Sequence, residues 1–171
     1  KRMSIIDTPG HNDFSEDTYR ALIAADGVVM VLDGANGVEP QTRKLFEVCR
    51  RHRLPILTFV NKFDRPAKDP LELIDDIERT LAIAAAPVNW PIGDAERFRG
   101  VYDIRSQTLL RYERESQGQY RAPVDLSSLD DPDAKEMIGP VYEQFRESLD
   151  VIRDAGTSFD LDEYRAGKQT P

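Results

Sequence analysis

Short apolar runs alternate with helix-period stretches through the first half of the chain. "MSII" (3–6) is the first run. Asp13 and Glu16 then stand at capping-box spacing, and a helix is expected after them with Tyr19, Leu22 and Ile23 on one face. "GVVMVLD" (27–33) is uninterrupted and β-branched, the pattern of a strand covered on both sides. "GANGVEP" breaks it, and a helix from about Glu39 to Arg51 is expected to bury Leu45, Val48, Cys49 and His52. "PILTFVN" (55–61) reads as a third buried strand. Asp69-Pro70-Leu71-Glu72 then supplies an N-cap, a proline at the first helical position and a capping glutamate. The helix it opens carries Leu73, Ile74, Ile77 and Leu81 and stops before Pro87. This β-α-β-α-β-α order predicts an α/β fold, with strands at about 3–6, 28–32 and 56–60 side by side in a parallel sheet.

The pattern changes after Pro87. "VNWPIGD" reads as a loop, while "GVYDI" (100–104) and "TLLRYE" (108–113) read as short antiparallel strands, with "YRAPVDL" (120–126) a weaker third after the turn "ESQGQ". A helical stretch runs from Pro132 to about Ala155, broken at Gly139-Pro140, with Val141, Phe145, Leu149 and Ile152 on one stripe of its second part. A short helix is expected near Asp160 to Arg165. The division implied is 1–87 as the first unit, 88–165 as a small α+β insertion, and 166–171 as a segment returning toward the first unit.

Composition narrows the class. With 40% hydrophobic and 32% charged residues among 171, the chain is of globular rather than disordered type. No apolar run approaches the roughly 20 residues that span a bilayer, so no membrane partner is expected. The net charge of -8 argues against broad adhesion to nucleic acid or anionic lipid, and nothing suggests sequence-specific DNA binding. The single Cys49 excludes an internal disulfide and fits a reducing compartment, hence a cytoplasmic location. The chain opens on Lys1, close to an expected strand, which suggests further residues upstream.

Two clusters carry candidate chemistry. In an open parallel sheet, ligands bind beyond the carboxyl ends of strands. There "DTPGH" (7–11) follows the first run and "NKFD" (61–64) ends the third. Asp7 can hold a magnesium ion through water, because that ion takes oxygen ligands and keeps part of its hydration shell. Gly10 lets the backbone approach a phosphate oxygen, and His11 can orient an attacking water. The Asp64 carboxylate can accept two hydrogen bonds from the adjacent N–H groups of a guanine edge. Asn61 can bond the purine and tie loops together, and the stem of Lys62 can lie along the base. Asp7, Thr8, Pro9, Gly10 and His11, with Asn61, Lys62, Phe63 and Asp64, form the candidate nucleotide-binding set. The plain alternatives are a strand-to-helix turn for the first cluster and a polar loop for the second.

"DTPGH" followed after a strand–helix–strand interval by "NKFD" resembles the translational GTPases. "DFSEDTYRAL", "PILTFVNKFDR" and "APVNWPIG" are similar, within that group, to the bacterial release factor three family of class II termination GTPases. The resemblance implies a partial P-loop-NTPase-like parallel sheet, with 88–165 at the position of the family's G′ subdomain. It implies GTP or GDP and magnesium as cofactors, Asp7 on the ion through water, Gly10 on the γ-phosphate and His11 as the catalytic residue that positions water. It also implies the ribosome and class I release factors as partners, in the recycling of those factors during termination. An elongation factor G-like or ribosome-protection GTPase, and a non-catalytic truncated interaction module, are the competing readings.

The chain departs from that family in one respect. No G-x-x-x-x-G-K-[ST] loop occurs in its 171 residues, so it reads as an internal piece of a longer protein. Exposed sheet edges in such a piece invite pairing with a second copy. Backbone amides, a lysine and the ion supply most of the free energy of phosphate binding, at roughly 1.5–3 kcal/mol per charge-assisted bond. The isolated 171-residue chain is therefore expected to bind GTP weakly and not to hydrolyse it. Isothermal titration giving a micromolar dissociation constant would overturn this.

Overall fold

The computed structural model describes residues 3–8, 16–111, 129 and 134–171. Its first layer is built on two parallel strands, β1 (Val28–Asp33) and β2 (Ile56–Asn61), in register from Val28 opposite Ile56 to Asp33 opposite Asn61. Helices α1 (Glu16–Ile23), α2 (Pro40–Arg51) and α3 (Pro70–Leu81) alternate with them. The start of α3 follows from its sequence. The Asp69 carboxylate accepts from the Leu71 N–H at 2.8 Å, and Pro70, which lacks an N–H, takes the first helical position. Ala82 ends the helix in the left-handed region at φ 52°.

One face of this sheet buries Met30, Leu32 and Ile56 against Phe46 and Cys49 of α2 and Ile77 and Leu81 of α3. β3 (Ala84–Ala85) pairs in parallel with β7 (Gln169–Thr170). The Thr58 N–H donates to Pro171 O at 3.0 Å, and the buried Thr170 hydroxyl donates to Ile56 O at 2.9 Å. The last residues of the chain thus stand between β2 and β3.

The second layer is an antiparallel sheet of β4 (Asn89–Ile92), β5 (Gly100–Asp103) and β6 (Thr108–Arg111). It packs under α4 (Ala134–Ile138) and α5 (Tyr142–Ala155), which a 3₁₀ turn at Gly139–Val141 joins. Val141, Phe145 and Leu149 are buried and Ile152 is half-buried, as the helical stripe predicts. Trp90 is a core residue whose Nε1 donates to the Ser148 hydroxyl at 2.9 Å. Gly100 sits at φ 148°, where an added Cβ would collide with Leu110 O across the β5–β6 pair. Helix α6 (Leu161–Arg165) is capped by Asp160, which accepts from the Asp162 and Glu163 amides. No helix among the described residues is long and apolar enough to cross a membrane.

Several expectations are corrected. Residues 3–8 form no strand, and Met3 and Ile5 are 89% and 88% exposed. An apolar run forms a strand only when a neighbour completes its hydrogen bonds, and none of the described strands pairs with this one. β1 and β2 are buried on one face rather than two, since Val29, Val31, Leu57 and Phe59 are exposed. Of the three residues expected to anchor α1, Leu22 is buried, Tyr19 and Ile23 are exposed, and Thr18 is buried instead. His52 caps α2 in solvent, and Phe46 fills the core position. "NWPI" is a strand, because its alternate residues Trp90 and Ile92 point into the second core. The capping Asp13 and the weak strand at 120–126 lie outside the described residues.

Leu149 has no exposed surface and sits at the centre of the second core. Leu149→Ala is expected to destabilise the fold by about 2–5 kcal/mol, the range for emptying a buried leucine site. Urea unfolding followed by circular dichroism measures the loss.

Candidate functional site

The carboxyl ends of β1 and β2 form one edge, and two loops leave from it. The first, 33–38, is held by the last residue of β1. Asp33 Oδ1 accepts from the Ala35 N–H at 2.9 Å, and Asp33 O accepts from the Gly37 N–H at 2.8 Å. The second, 61–68, begins at the last residue of β2. Asn61 Oδ1 accepts from the Lys62 N–H at 2.8 Å, and Lys62 lies in the left-handed region at φ 68°. A non-glycine residue enters that region at a cost, and here the asparagine cap holds it. The Arg65 N–H closes the turn on Lys62 O at 3.0 Å.

The two loops are laced together. Gly34 N donates to Asn61 O and Lys68 N donates to Gly34 O, both at 2.9 Å. An added Cβ at Gly34 would stand 3.1 Å from Asn61 O and 3.2 Å from the Ala67 methyl, so the close approach favours glycine. The Lys62 ammonium donates to Asp33 Oδ2 at 2.7 Å. Lys68 Nζ donates to Asn36 O at 2.9 Å, and Asp76 of α3 accepts from the Val38 N–H at 2.9 Å. Phe63 O accepts from the Ala95 N–H at 2.8 Å, which ties the loop to the chain just beyond β4.

The electrostatics follow these contacts. The Lys62 ammonium, then the Ala35 amide, hold the Asp33 carboxyl below its ordinary value. The Val38 amide, helped by Thr80, Lys68 and Arg79, lowers Asp76 against the opposing effect of burial. Burial pushes the Cys49 thiol up to about 11, which makes it a small apolar residue rather than a nucleophile.

Asn61, Lys62 and Asp64 are exposed and Phe63 is half-buried. No described residue bonds the Asp64 carboxylate. An open, mostly apolar cleft of about 590 Å³ adjoins the loop, which forms one of its walls. Of the other cluster, Asp7 is exposed and Thr8 half-exposed, in a segment without regular structure, so Asp7 does not end a strand. Pro9, Gly10 and His11 lie outside the described residues. Among those described, no three His, Cys, Asp or Glu side chains group together as metal ligands. Asp33 and Asp76 are the functional candidates that sequence reasoning missed. Asp33 had a signal, an acid at the end of a strand immediately before a Gly-Ala-Asn-Gly turn. Asp76 had none, because its partner lies 38 residues away.

Comparison with known proteins agrees with this architecture. The family model described as elongation factor Tu GTP binding domain matches residues 1–160. Proteins named peptide chain release factor 3 are 50% identical in Microcystis aeruginosa and 49% in Gloeothece citriformis, each over 99% of this chain, covering 31% and 32% of those proteins. The protein of that name from Synechocystis sp. is 50% identical over the whole chain and is itself 32% covered. The chain thus spans about a third of the length of the curated relatives it matches. A crystal structure from Thermus thermophilus superposes with a TM-score of 0.66 over 96% of this chain and 26% of its own, at 23% identity, and shares the fold.

The lowered Asp76 carboxyl gives a pH-dependent contribution to stability. Its folded value lies below the ordinary 3.8, so the contribution is complete above that value and is lost as pH falls through the folded one. Asp76→Asn removes it. The stability difference between the protein and this variant is expected to be constant from pH 7 to about 5 and to shrink toward pH 3. Urea unfolding across that range measures it.

Proposed function

Because the chain belongs to the elongation factor Tu GTP binding domain family, we propose that its "NKFD" loop reads the guanine base of GTP or GDP in a GTPase of translation termination. The observation that carries this reading is the loop's own geometry. The backbone of 61–65 is fixed from both sides, while the Asp64 carboxylate is exposed and unbonded among the described residues. Guanine presents two adjacent N–H donors, and a carboxylate has two acceptor oxygens to meet them. Adenine offers no such pair. Lys62 lays its stem beside the base and Asn61 holds the loop's entry.

The rest of the reading extends beyond this loop. Asp7 fits a magnesium ion that keeps most of its waters, since such an ion takes only one or two carboxylates with nucleotide oxygens. The ion supplies charge neutralisation at the phosphates. Gly10 donates its backbone N–H to the γ-phosphate, and His11 positions water for hydrolysis. Half-identity to proteins named peptide chain release factor 3 along the whole chain favours that role over an elongation factor G-like one. In it, the full-length protein works on the ribosome in the cytoplasm and promotes departure of class I release factors. Residues 1–87 and 166–171 serve as the nucleotide-binding part and 88–165 as its inserted subdomain. A binding module without turnover is the rival, and ribosome-stimulated GTP hydrolysis by the full-length protein separates the two.

The base-reading role is tested by competition against a fluorescent GDP analogue. The full-length protein is expected to prefer GDP over ADP by at least about a hundredfold, as sites that meet a ligand's N–H donors with matching acceptors do. Asp64→Asn presents one donor and one acceptor, so it is expected to weaken GDP and favour xanthosine diphosphate, whose edge has that pattern. Equal affinity for GDP and ADP refutes the proposal.

A further inference from the structure

We propose that Asp33 is a positioning residue for nucleotide affinity, which acts by anchoring the Lys62 ammonium so that the lysine stem is laid out before the base arrives; this rests on the reading of "NKFD" as the base-binding loop. Asp33 is the last residue of β1 and stands in register with Asn61, the last of β2. Its carboxylate divides its work. Oδ1 takes the Ala35 N–H at 2.9 Å and fixes the side chain on its own turn, and Oδ2 takes Lys62 Nζ at 2.7 Å. Lys62 is therefore held at both ends, its N–H by the Asn61 side chain and its ammonium by Asp33.

An unanchored surface lysine samples many rotamers, and ordering it against a ligand costs part of the binding free energy. A rigid strand end that already holds the ammonium removes part of that cost. The other nearby ammonium, Lys68 Nζ, is engaged by Asn36 O and leaves Asp33 to Lys62. The anchor also commits the Lys62 charge, so this residue acts through its apolar stem. Since every purine has a flat face, Asp33 affects affinity without choosing the base, whereas Asp64 chooses.

The experiment uses the full-length protein and equilibrium competition with GDP and inosine diphosphate, which lacks the guanine amino group. Asp33→Asn keeps an oxygen for the Ala35 N–H and loses the charge toward Lys62. It is expected to weaken both nucleotides by the same factor, about three- to tenfold, in the range of partly exposed ion pairs and rotamer ordering. Lys62→Met keeps the stem without the ammonium and leaves the turn untouched, so it is expected to give the same loss. The double variant is expected to lose no more than either. A purely structural role for Asp33 predicts none of this coupling. Wild-type affinity in Lys62→Met, or losses that add in the double variant, overturns the proposal even if Asp33→Asn does not fold. If the unaltered protein does not prefer GDP to ADP, it is the base-reading assignment that fails. If it does and Asp64→Asn lowers that preference, wild-type affinity in Asp33→Asn refutes the anchor alone.

Discussion

The parallel register of β1 and β2 is the constraint on which the candidate site depends. In a parallel pair both strands deliver their carboxyl ends to the same edge, and the loops that follow meet there. Here the register sets Asp33 directly opposite Asn61. That brings the Asp33 carboxylate within 2.7 Å of the ammonium of a residue 29 positions later in sequence. A slip of one residue would turn Met30 and Leu32 away from the core, so burial on the inner face locks the pairing that builds the outer edge. The stability of the sheet and the geometry of the site therefore rest on the same contacts.

Around that edge, fixed backbone is combined with an exposed carboxylate. Loops 33–38 and 61–68 are joined by backbone hydrogen bonds, and α3 reaches in through Asp76. The second layer contributes through the Ala95 N–H on Phe63 O. Against this the Asp64 carboxylate is left exposed and unbonded among the described residues. The proposed reading of a base by Asp64 draws on this combination, because binding that immobilises only one short side chain forfeits little entropy.

Local chemistry made much of this readable in the sequence. Asp69-Pro70 opens α3 where an N-cap and a first-position proline should, and "NKFD" falls at the end of β2 as the apolar run requires. The misreadings have a common cause. An unbroken run such as "GVVMVLD" shows that a strand is apolar, but it does not show how many faces have a neighbour, and Val29 and Val31 are exposed. "MSII" has strand composition, yet composition supplies no hydrogen-bond partner. His52 continues the helical stripe of Leu45, Val48 and Cys49 but falls one residue beyond the helix, where the stripe ceases to mean burial. The place of Asp33 at a strand end before a turn is local, but its contact with Lys62, 29 residues on, and that of Asp76 with Val38, 38 residues back, are encoded by no local pattern.

The two cores are also joined mechanically. Ile74 of α3 packs against both, and the 61–68 loop lies directly before that helix. Helix α3 is tied to loop 33–38 through Asp76 and the Val38 N–H, and Ala95 of the second layer is bonded to Phe63 of the 61–68 loop. A displacement of the second layer relative to α3 thus strains the Ala95–Phe63 bond and the loop it holds, because a packed interior shifts as a body rather than yielding locally. The backbone that carries Asp64 is thus bonded both to loop 33–38 and to the second layer.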